Sequence, residues 1–221
     1  MKVRRVTWRR TLAVLALVVI GWLAWPRVPQ VPPFQMHVYD GKFIVTGAIQ
    51  TGSAERLRTM INWYPDIRTL VLLSVPGSID LDNTFEMGRL VREAGLTTVV
   101  PAHGLIASGG TDLFLAGARR RVERGACIGV HSWEDSLLFF APLLSYEGQD
   151  ADPDDPYHAR FLGYLREMGI PNAFYWFTLK AASHDSMHWL SGAEIKRFRV
   201  ATSVAAALRQ PDDDDCQNRY W

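Results

Sequence analysis

Two polar residues suited to acyl-transfer chemistry stand in otherwise small or apolar surroundings. Ser108 lies in "LIASGGTDLFLAG", and His131 ends "ACIGVH". A serine hydroxyl becomes a nucleophile when a base removes its proton, and a neighbouring imidazole commonly serves as that base. If Ser108 begins a helix, the first N–H groups of that helix would favour an oxyanion beside it. The pair predicts a serine nucleophile with a histidine base; the alternative is a helix cap and a polar residue at a sheet edge.

The elements that would position this pair alternate between strands and helices. Apolar, β-branched runs predict the strands, and apolar residues spaced three and four apart predict the helices. Such alternation favours parallel strands joined by right-handed crossovers, and therefore a layered α/β domain. The predicted order is strand 43–49, helix 53–64, strand 69–74, a helix from Asp80 or Asp82 to about Ala94, and strand 97–100.

Ser108 then falls in the loop that follows strand 97–100, and His131 ends a further strand at "ACIGVH". Both lie at the carboxyl edge of the predicted sheet, where parallel sheets usually bind ligands. A polar segment at 134–156 predicts a surface loop or lid. The remaining predictions are a helix closed by Gly169, a helix starting at Pro171, a capping box at Ser191, a last strand at "FRVAT" and a solvated acidic tail at "DDDD".

Four short motifs resemble the ClpP/crotonase superfamily, over about residues 43–202. They are "VTGAI", "LLSVPGSI", "ASGGTDLFLAGARR" and "GVH", and they follow one another in the order seen in that superfamily. The similarity is greatest to its periplasmic, membrane-anchored serine-protease-like group, which is related to the Clp protease proteolytic subunit. The resemblance implies repeated ββα units with a layered, largely parallel sheet, and a homo-oligomer, because relatives commonly form rings or trimers.

The resemblance also assigns roles to individual residues. It implies Ser108 as nucleophile, His131 as general base and Asp185 as the acid that orients the imidazole. The backbone N–H groups of Gly77 or Ser78 together with Gly109 would form the oxyanion hole. Rivals for the place of Asp185 are Asp135, Asp154 and Asp155.

The motifs depart from the family pattern at several positions. "PGS" replaces Pro-Gly-Gly, and Ile106 and Gly110 stand where the periplasmic group often has cysteines. If the N–H of Ser78 requires a positive φ, a side chain there would cost about 1 kcal/mol. These departures keep a second function open, namely a catalytically silent protein that uses the fold for binding or assembly in the cell envelope.

Other chemistries have weaker support in the sequence. "HDSMH" spaces His184 and His188 like a zinc motif, but Asp is shorter than the required Glu and no third ligand is evident. A Ser/Lys dyad would need Lys180 or Lys196, which are more typical of solvated helix faces. The arginines of "ARRRVER" are expected to bond carbonyls or acids near a helix end. We therefore predict no metal and no organic cofactor.

The N-terminus predicts a membrane segment. A basic flank precedes the apolar run "TLAVLALVVIGWLAW" and consists of Lys2, Arg4, Arg5, Arg9 and Arg10. Because no small-x-small cleavage site follows this run, an uncleaved signal anchor is favoured over a cleaved signal. The positive-inside rule then places the remainder in the periplasm, tethered to the inner membrane by a single pass. The predicted boundaries are anchor 1–25, Pro-rich linker 26–35, folded domain 36–209 and acidic tail 210–221.

The remaining chain carries more acidic than basic residues, which disfavours nucleic acid as a partner. A periplasmic location permits disulfides, but spacing alone leaves open whether Cys127 and Cys216 pair. The sequence thus predicts a membrane-anchored periplasmic serine hydrolase, peptidase-like, that acts on peptide or protein substrates or on other acyl bonds.

Overall fold

A computed structural model describes residues 32–136, 145–204 and 213–220. The predicted anchor at 1–25, most of the linker, and the apolar part of the predicted lid, "LLFFAPLL" at 137–144, lie outside the described residues. Among the helices that the structure does describe, none combines the length and the apolar character needed to cross a bilayer.

Across the described ranges, nine strands form a mixed sheet and two more form a separate hairpin. The strands are β1 Gln35–Tyr39, β2 Lys42–Thr46, β3 Thr69–Val75, β4 Thr97–Val100, β5 Leu105–Ala107, β6 Arg119–Val122, β7 Cys127–Val130, β8 Glu134–Ser136, β9 Ser145–Glu147, β10 His188–Trp189 and β11 Ser203–Val204. In the large sheet β3 lies centrally, with β2 and β4 along its first half and β2 and β5 along its second half. Pairing in this sheet is parallel except for β1 with β2 and β10 with β7.

The helices begin where the capping residues predict. Asp80 accepts a hydrogen bond from the Asn83 N–H at the start of α2, and Asp155 does the same for Tyr157 at the start of α4. Ser191 and Glu194 form the predicted capping box. The described helices are α1 Ser53–Trp63, α2 Leu81–Glu93, α3 Gly109–Leu115, α4 Pro156–Glu167, α5 Asn172–Ala181, α6 Gly192–Arg197 and α7 Asp213–Tyr220.

The core lies between the sheet and its covering helices. Alternate residues of β2 and β3, such as Phe43 and Leu72, are fully buried. On the helix side Tyr164 of α4 is also fully buried; its ring stacks on Phe85, and its hydroxyl donates to the backbone carbonyl of Asp112 at 2.8 Å. This contact ties α2, α3 and α4 together, so that the short helix α3 has a fixed place beside the sheet.

The arginine-rich segment bonds to backbone carbonyls of the same domain, as expected. Arg120 of β6 is buried, and its guanidinium donates to the carbonyls of Gly117, Arg199 and Val200. These bonds hold the loop before β11 against the end of α3. Burial lowers the pKa of Arg120 to about 10, which leaves it charged at neutral pH.

Two predictions about the C-terminal part differ from the structure. "FRVAT" is not a strand, because Arg199 has a φ of 55° that breaks an extended backbone; the strand follows at Ser203–Val204. The acidic "DDDD" run leads into α7 rather than a free tail, and Cys216 on that helix is bonded to Cys127.

Candidate active site

Ser108 is the single residue between β5 and α3, and its backbone is strained. Its φ of 52° with a ψ of −127° lies outside the regions that residues with a side chain normally occupy. Such a conformation costs about 1–3 kcal/mol, and it recurs at catalytic turns because it turns a side chain out of the sheet. The Ser108 N–H donates to the Gly129 carbonyl at 3.2 Å, which holds the turn against β7.

His131 reaches the same place because β5 and β7 are parallel neighbours. Ala107 pairs with Gly129, so the residues just beyond these two positions emerge side by side at the carboxyl edge of the sheet. Thr111 on α3 strengthens this register, since its hydroxyl donates to the same Gly129 carbonyl at 2.8 Å. The structure thus brings Ser108 and His131 to one cavity, which both residues line.

The two glycines after Ser108 are required by close packing. A Cβ at Gly109 would lie 2.4 Å from the Cβ of Ser78, and a Cβ at Gly110 would lie 2.0 Å from the carbonyl oxygen of Val75. No side chain fits at either position without moving the backbone. The glycines therefore let the N-terminus of α3 approach the end of β3.

This approach places the predicted oxyanion donors together. Ile49 bonds with the residues on either side of Ser78, through its N–H to Gly77 and through its carbonyl from Ile79. In that parallel pattern the Ser78 N–H faces away from Ile49, and its nitrogen lies 3.2 Å from the Cβ position of Gly109. Gly109 begins α3, so its own N–H has no acceptor within the helix.

The replacement of the family glycine by Ser78 does not carry the cost considered above. Ser78 is not among the described residues with positive φ. Its hydroxyl lies 2.7 Å from the Thr84 hydroxyl and accepts from the Asp80 N–H, so the side chain is anchored at the start of α2. Gly77 is also close to Ser108, since a Cβ at Gly77 would lie 3.6 Å from the Cβ of Ser108.

The hydrogen bond of His131 determines its tautomer. Its Nδ1 lies 2.7 Å from the carbonyl oxygen of Ser132, and a carbonyl can only accept, so Nδ1 carries the proton. Burial lowers the pKa of His131, although the Ser132 bond works in the opposite direction. The neutral imidazole therefore presents an unprotonated Nε2, the form that a general base requires.

Asp185 does not take the orienting place that the resemblance gives it. It is exposed, and its carboxylate accepts from the Ser183 hydroxyl at 2.6 Å, a bond that lowers its pKa. Of its rivals, Asp155 caps α4, Asp135 interacts with Tyr157 and Asp154 is exposed. The Ser132 carbonyl holds Nδ1 instead, and a backbone group leaves no signal in a sequence.

Two adjoining cavities surround the serine. The larger measures about 430 Å³ and reaches from Ser78 and Asp80 to Glu134 and His184. The smaller, of about 60 Å³, lies deeper and is walled by aromatic and aliphatic side chains. Both are lined by Ser108, Asp112, His131, Trp133 and Phe161.

The histidines of "HDSMH" have separate partners. His184 lies between Glu147 and Glu134, at 3.0 and 3.3 Å, whereas His188 pairs with Glu194 at 3.1 Å. The segment is a turn followed by β10, not the helix that a zinc motif of this spacing needs. Lys180 and Lys196 are exposed and line neither cavity.

Two further lining residues, Asp112 and Trp133, were not predicted from the sequence. Asp112 lies one turn after Ser108, since its N–H bonds to the Ser108 carbonyl, and this spacing on a predicted helix could have revealed it. Trp133 immediately precedes the predicted lid at 134–156, and its indole N–H donates to the Tyr175 hydroxyl at 2.8 Å. No local pattern marks a contact between residues so far apart in the chain.

Comparison with known proteins connects this geometry to a fold. No family model and no curated protein matches the chain. The membrane-bound stomatin-specific protease 1510-N, as a variant structure, is 14% identical with a TM-score of 0.53, covering 75% of this chain and 78% of that one. A second variant in complex with a substrate peptide is 15% identical with a TM-score of 0.48, covering 73% and 75%.

A protein described as an enoyl-CoA hydratase from Streptomyces coelicolor A3(2) is 16% identical with a TM-score of 0.46, covering 89% of this chain and 74% of that one. At these identities the similarity concerns the fold, and the fold assignment is based on the protease match. The described part of the chain has the ClpP/crotonase fold, as the motifs predicted.

Proposed function

We propose that this protein is a serine hydrolase that cleaves peptide or other acyl bonds. The observation that supports this most strongly is that Ser108, in a strained turn, lines the same two cavities as His131, whose Nδ1 is bonded to a backbone carbonyl. Proteins of several activities share this fold, so the residues of the site, and not the fold, support the proposed activity.

In this proposal Ser108 Oγ attacks the carbonyl carbon while His131 Nε2 takes the hydroxyl proton. The negative charge that develops on the carbonyl oxygen is stabilised by the N–H groups of Ser78 and Gly109. Collapse of the tetrahedral intermediate leaves an acyl-serine, and the proton passes from His131 to the leaving group. Water then attacks the acyl-serine with His131 again as base, which regenerates the serine.

In the structure the Ser108 hydroxyl makes no hydrogen bond with the described residues. Catalytic hydrogen bonds often tighten only when substrate binds, so this arrangement is compatible with the proposal. The Ser132 carbonyl orients His131 but carries no negative charge. We therefore expect it to stabilise the imidazolium less than a carboxylate would, and turnover to be modest.

The test is covalent labelling of the full-length chain with a fluorophosphonate probe. The proposal predicts labelling that is lost in Ser108→Ala and in His131→Ala but kept in the control Ser186→Ala, which removes an exposed hydroxyl. Absence of labelling in a folded wild type would instead favour a silent binding or assembly protein, the second function considered from the sequence.

We further propose that the protein is tethered by its N-terminal segment to the inner membrane and lies in the periplasm. The basic flank and apolar run support the tether, and the disulfide between Cys127 and Cys216 fits an oxidising compartment. Fractionation with protease protection of intact cells and spheroplasts tests both points. Recovery in the soluble cytosolic fraction with reduced cysteines would contradict them.

A further inference from the structure

Asp112 lies where the two cavities meet, one helical turn beyond the candidate nucleophile. It lines the larger cavity together with Ser78 and His131, and the smaller cavity together with Trp133 and Tyr175. Its position is fixed on both sides, because its N–H bonds to the Ser108 carbonyl and its own carbonyl accepts from the Tyr164 hydroxyl. A substrate group beside the scissile bond would therefore meet this carboxyl.

The Asp112 carboxyl has no partner in the part of the chain that the structure describes. No described side chain forms an ion pair or hydrogen bond with it. Although Asp112 keeps some accessible surface, protein surrounds its carboxyl closely, and this burial raises its pKa to about 7. A carboxyl in such surroundings is stabilised in its charged form by a nearby cation.

The larger cavity has a negative character beyond Asp112. Three acids, Asp80, Asp112 and Glu134, are among its described lining residues, and no lysine or arginine is. Hydrogen bonds from Asn83 and Thr51 lower the pKa of Asp80, so that residue stays ionised at neutral pH. His184 also lines this cavity; its hydrogen bond to Glu147 raises its pKa, and it pairs with Glu147 and Glu134, so Asp80 and Asp112 carry the negative character that a ligand would meet. The cavity is thus complementary to a cation.

The walls suit a long side chain with a charged end. Trp133, Phe161 and Tyr175 line the smaller cavity together with Asp112. The Trp133 N–H donates to the Tyr175 hydroxyl, which also lies 2.6 Å from Nδ1 of His158, so these two rings are held in position. Aromatic rings cover methylene groups and attract a desolvated cation.

We propose that Asp112 selects substrates with a lysine or arginine side chain beside the bond that Ser108 attacks. This inference rests on the hydrolase function proposed above. The methylene stem lies against the aromatic walls, and the ammonium or guanidinium pairs with the Asp112 carboxylate. A substrate without the cation would shut that carboxyl off from water without giving it a partner, and so bind less well.

Two esters that differ in the cation test the selectivity. Hydrolysis of the thiobenzyl esters of N-acetyl-lysine and N-acetyl-norleucine by the full-length chain should favour the lysyl ester by about tenfold or more in kcat/KM. In Asp112→Asn this ratio should fall towards one. It should be unchanged in the control Asp66→Asn, which removes the same charge from an exposed loop. Thermal unfolding establishes that the variants are folded.

A pH series adds a readout that a structural role would not change. The lysyl preference should decline as the pH falls through about 7, because protonation of Asp112 removes the charge that pairs with the cation. The preference in Asp112→Asn should be independent of pH over the same range. A wild-type preference that is flat across this range would overturn the proposal.

Binding separates failure of the selectivity from failure of the hydrolase function. If neither ester is hydrolysed and no fluorophosphonate label appears, the hydrolase function fails. Calorimetric titration of Ser108→Ala with the amides of N-acetyl-lysine and N-acetyl-norleucine then still tests the selectivity. A tighter lysyl amide supports the proposal; equal binding or equal hydrolysis, or a ratio that survives Asp112→Asn, would overturn it.

Discussion

At the scale of single residues, the site combines side chains that the sequence reveals with a backbone carbonyl that it does not. His131 could be predicted because it ends an apolar run, and Ser108 and Gly109 because they lie in a loop of small residues before a predicted helix; β5, the strand directly before Ser108, was not predicted. The Ser132 carbonyl could not, since a backbone group has no sequence signature, and the resemblance pointed to Asp185 instead. Asp112 was overlooked because an acid in the first turn of a helix usually serves the helix dipole.

The pH dependence of labelling follows from the state of His131. Its pKa is lowered from 6.5 by burial, so the free base predominates at neutral pH and is lost only when the pH falls through that lowered value. We expect the fluorophosphonate labelling rate of Asp112→Asn, which lacks the neighbouring carboxyl, to rise with pH along a single titration whose midpoint lies below 6.5, then to stay level at neutral pH. A midpoint above 7 would mean that His131 is not the base.

At the scale of elements, α3 must lie unusually close to the end of β3. We expect Gly110→Ala to destabilise the protein by about 1–3 kcal/mol, because its Cβ would lie 2.0 Å from the Val75 carbonyl oxygen. Gly163→Ala is the matched control: position 163 lies within α4 and has nothing within 4 Å of a Cβ. That change should stabilise the protein by about 0.5–1 kcal/mol.

Urea unfolding of the three proteins measures both changes. The α3 prediction fails if Gly110→Ala is as stable as the wild type.

The sequence predicted the helices better than the last strand. Periodicity and capping residues predicted the helices, including the box at Ser191, but the strand expected at "FRVAT" was wrong because the positive φ of Arg199 has no signature in its residue type.

At the scale of the whole molecule, the disulfide connects the C-terminal helix to the sheet that carries the site. Cys127 belongs to β7, which ends beside His131, and Cys216 belongs to α7. The same helix contacts the loop that leads from Pro76 to the proposed oxyanion donor Ser78, since the Tyr220 hydroxyl donates to the Pro76 carbonyl at 3.3 Å. The sequence could not predict this closure, because the pairing joins residues separated by 89 positions.

Removal of the disulfide in Cys127→Ala/Cys216→Ala should lower the free energy of unfolding by about 2–5 kcal/mol, because the crosslink closes a long loop in the unfolded chain. Denaturant unfolding of the oxidised wild type and the double variant measures this. Treatment with a reductant should destabilise the wild type and leave the double variant unchanged. Equal stability of wild type and double variant would show that α7 contributes little to the domain.

The central claim is that Ser108 is an activated nucleophile, and mapping of the covalent adduct tests it most directly. The full-length protein is treated with the fluorophosphonate probe, digested, and its modified peptide identified by tandem mass spectrometry. We expect one adduct, on the Ser108 hydroxyl, that forms in the wild type and is absent from His131→Ala. An adduct on another residue, or none on a folded protein, would contradict it.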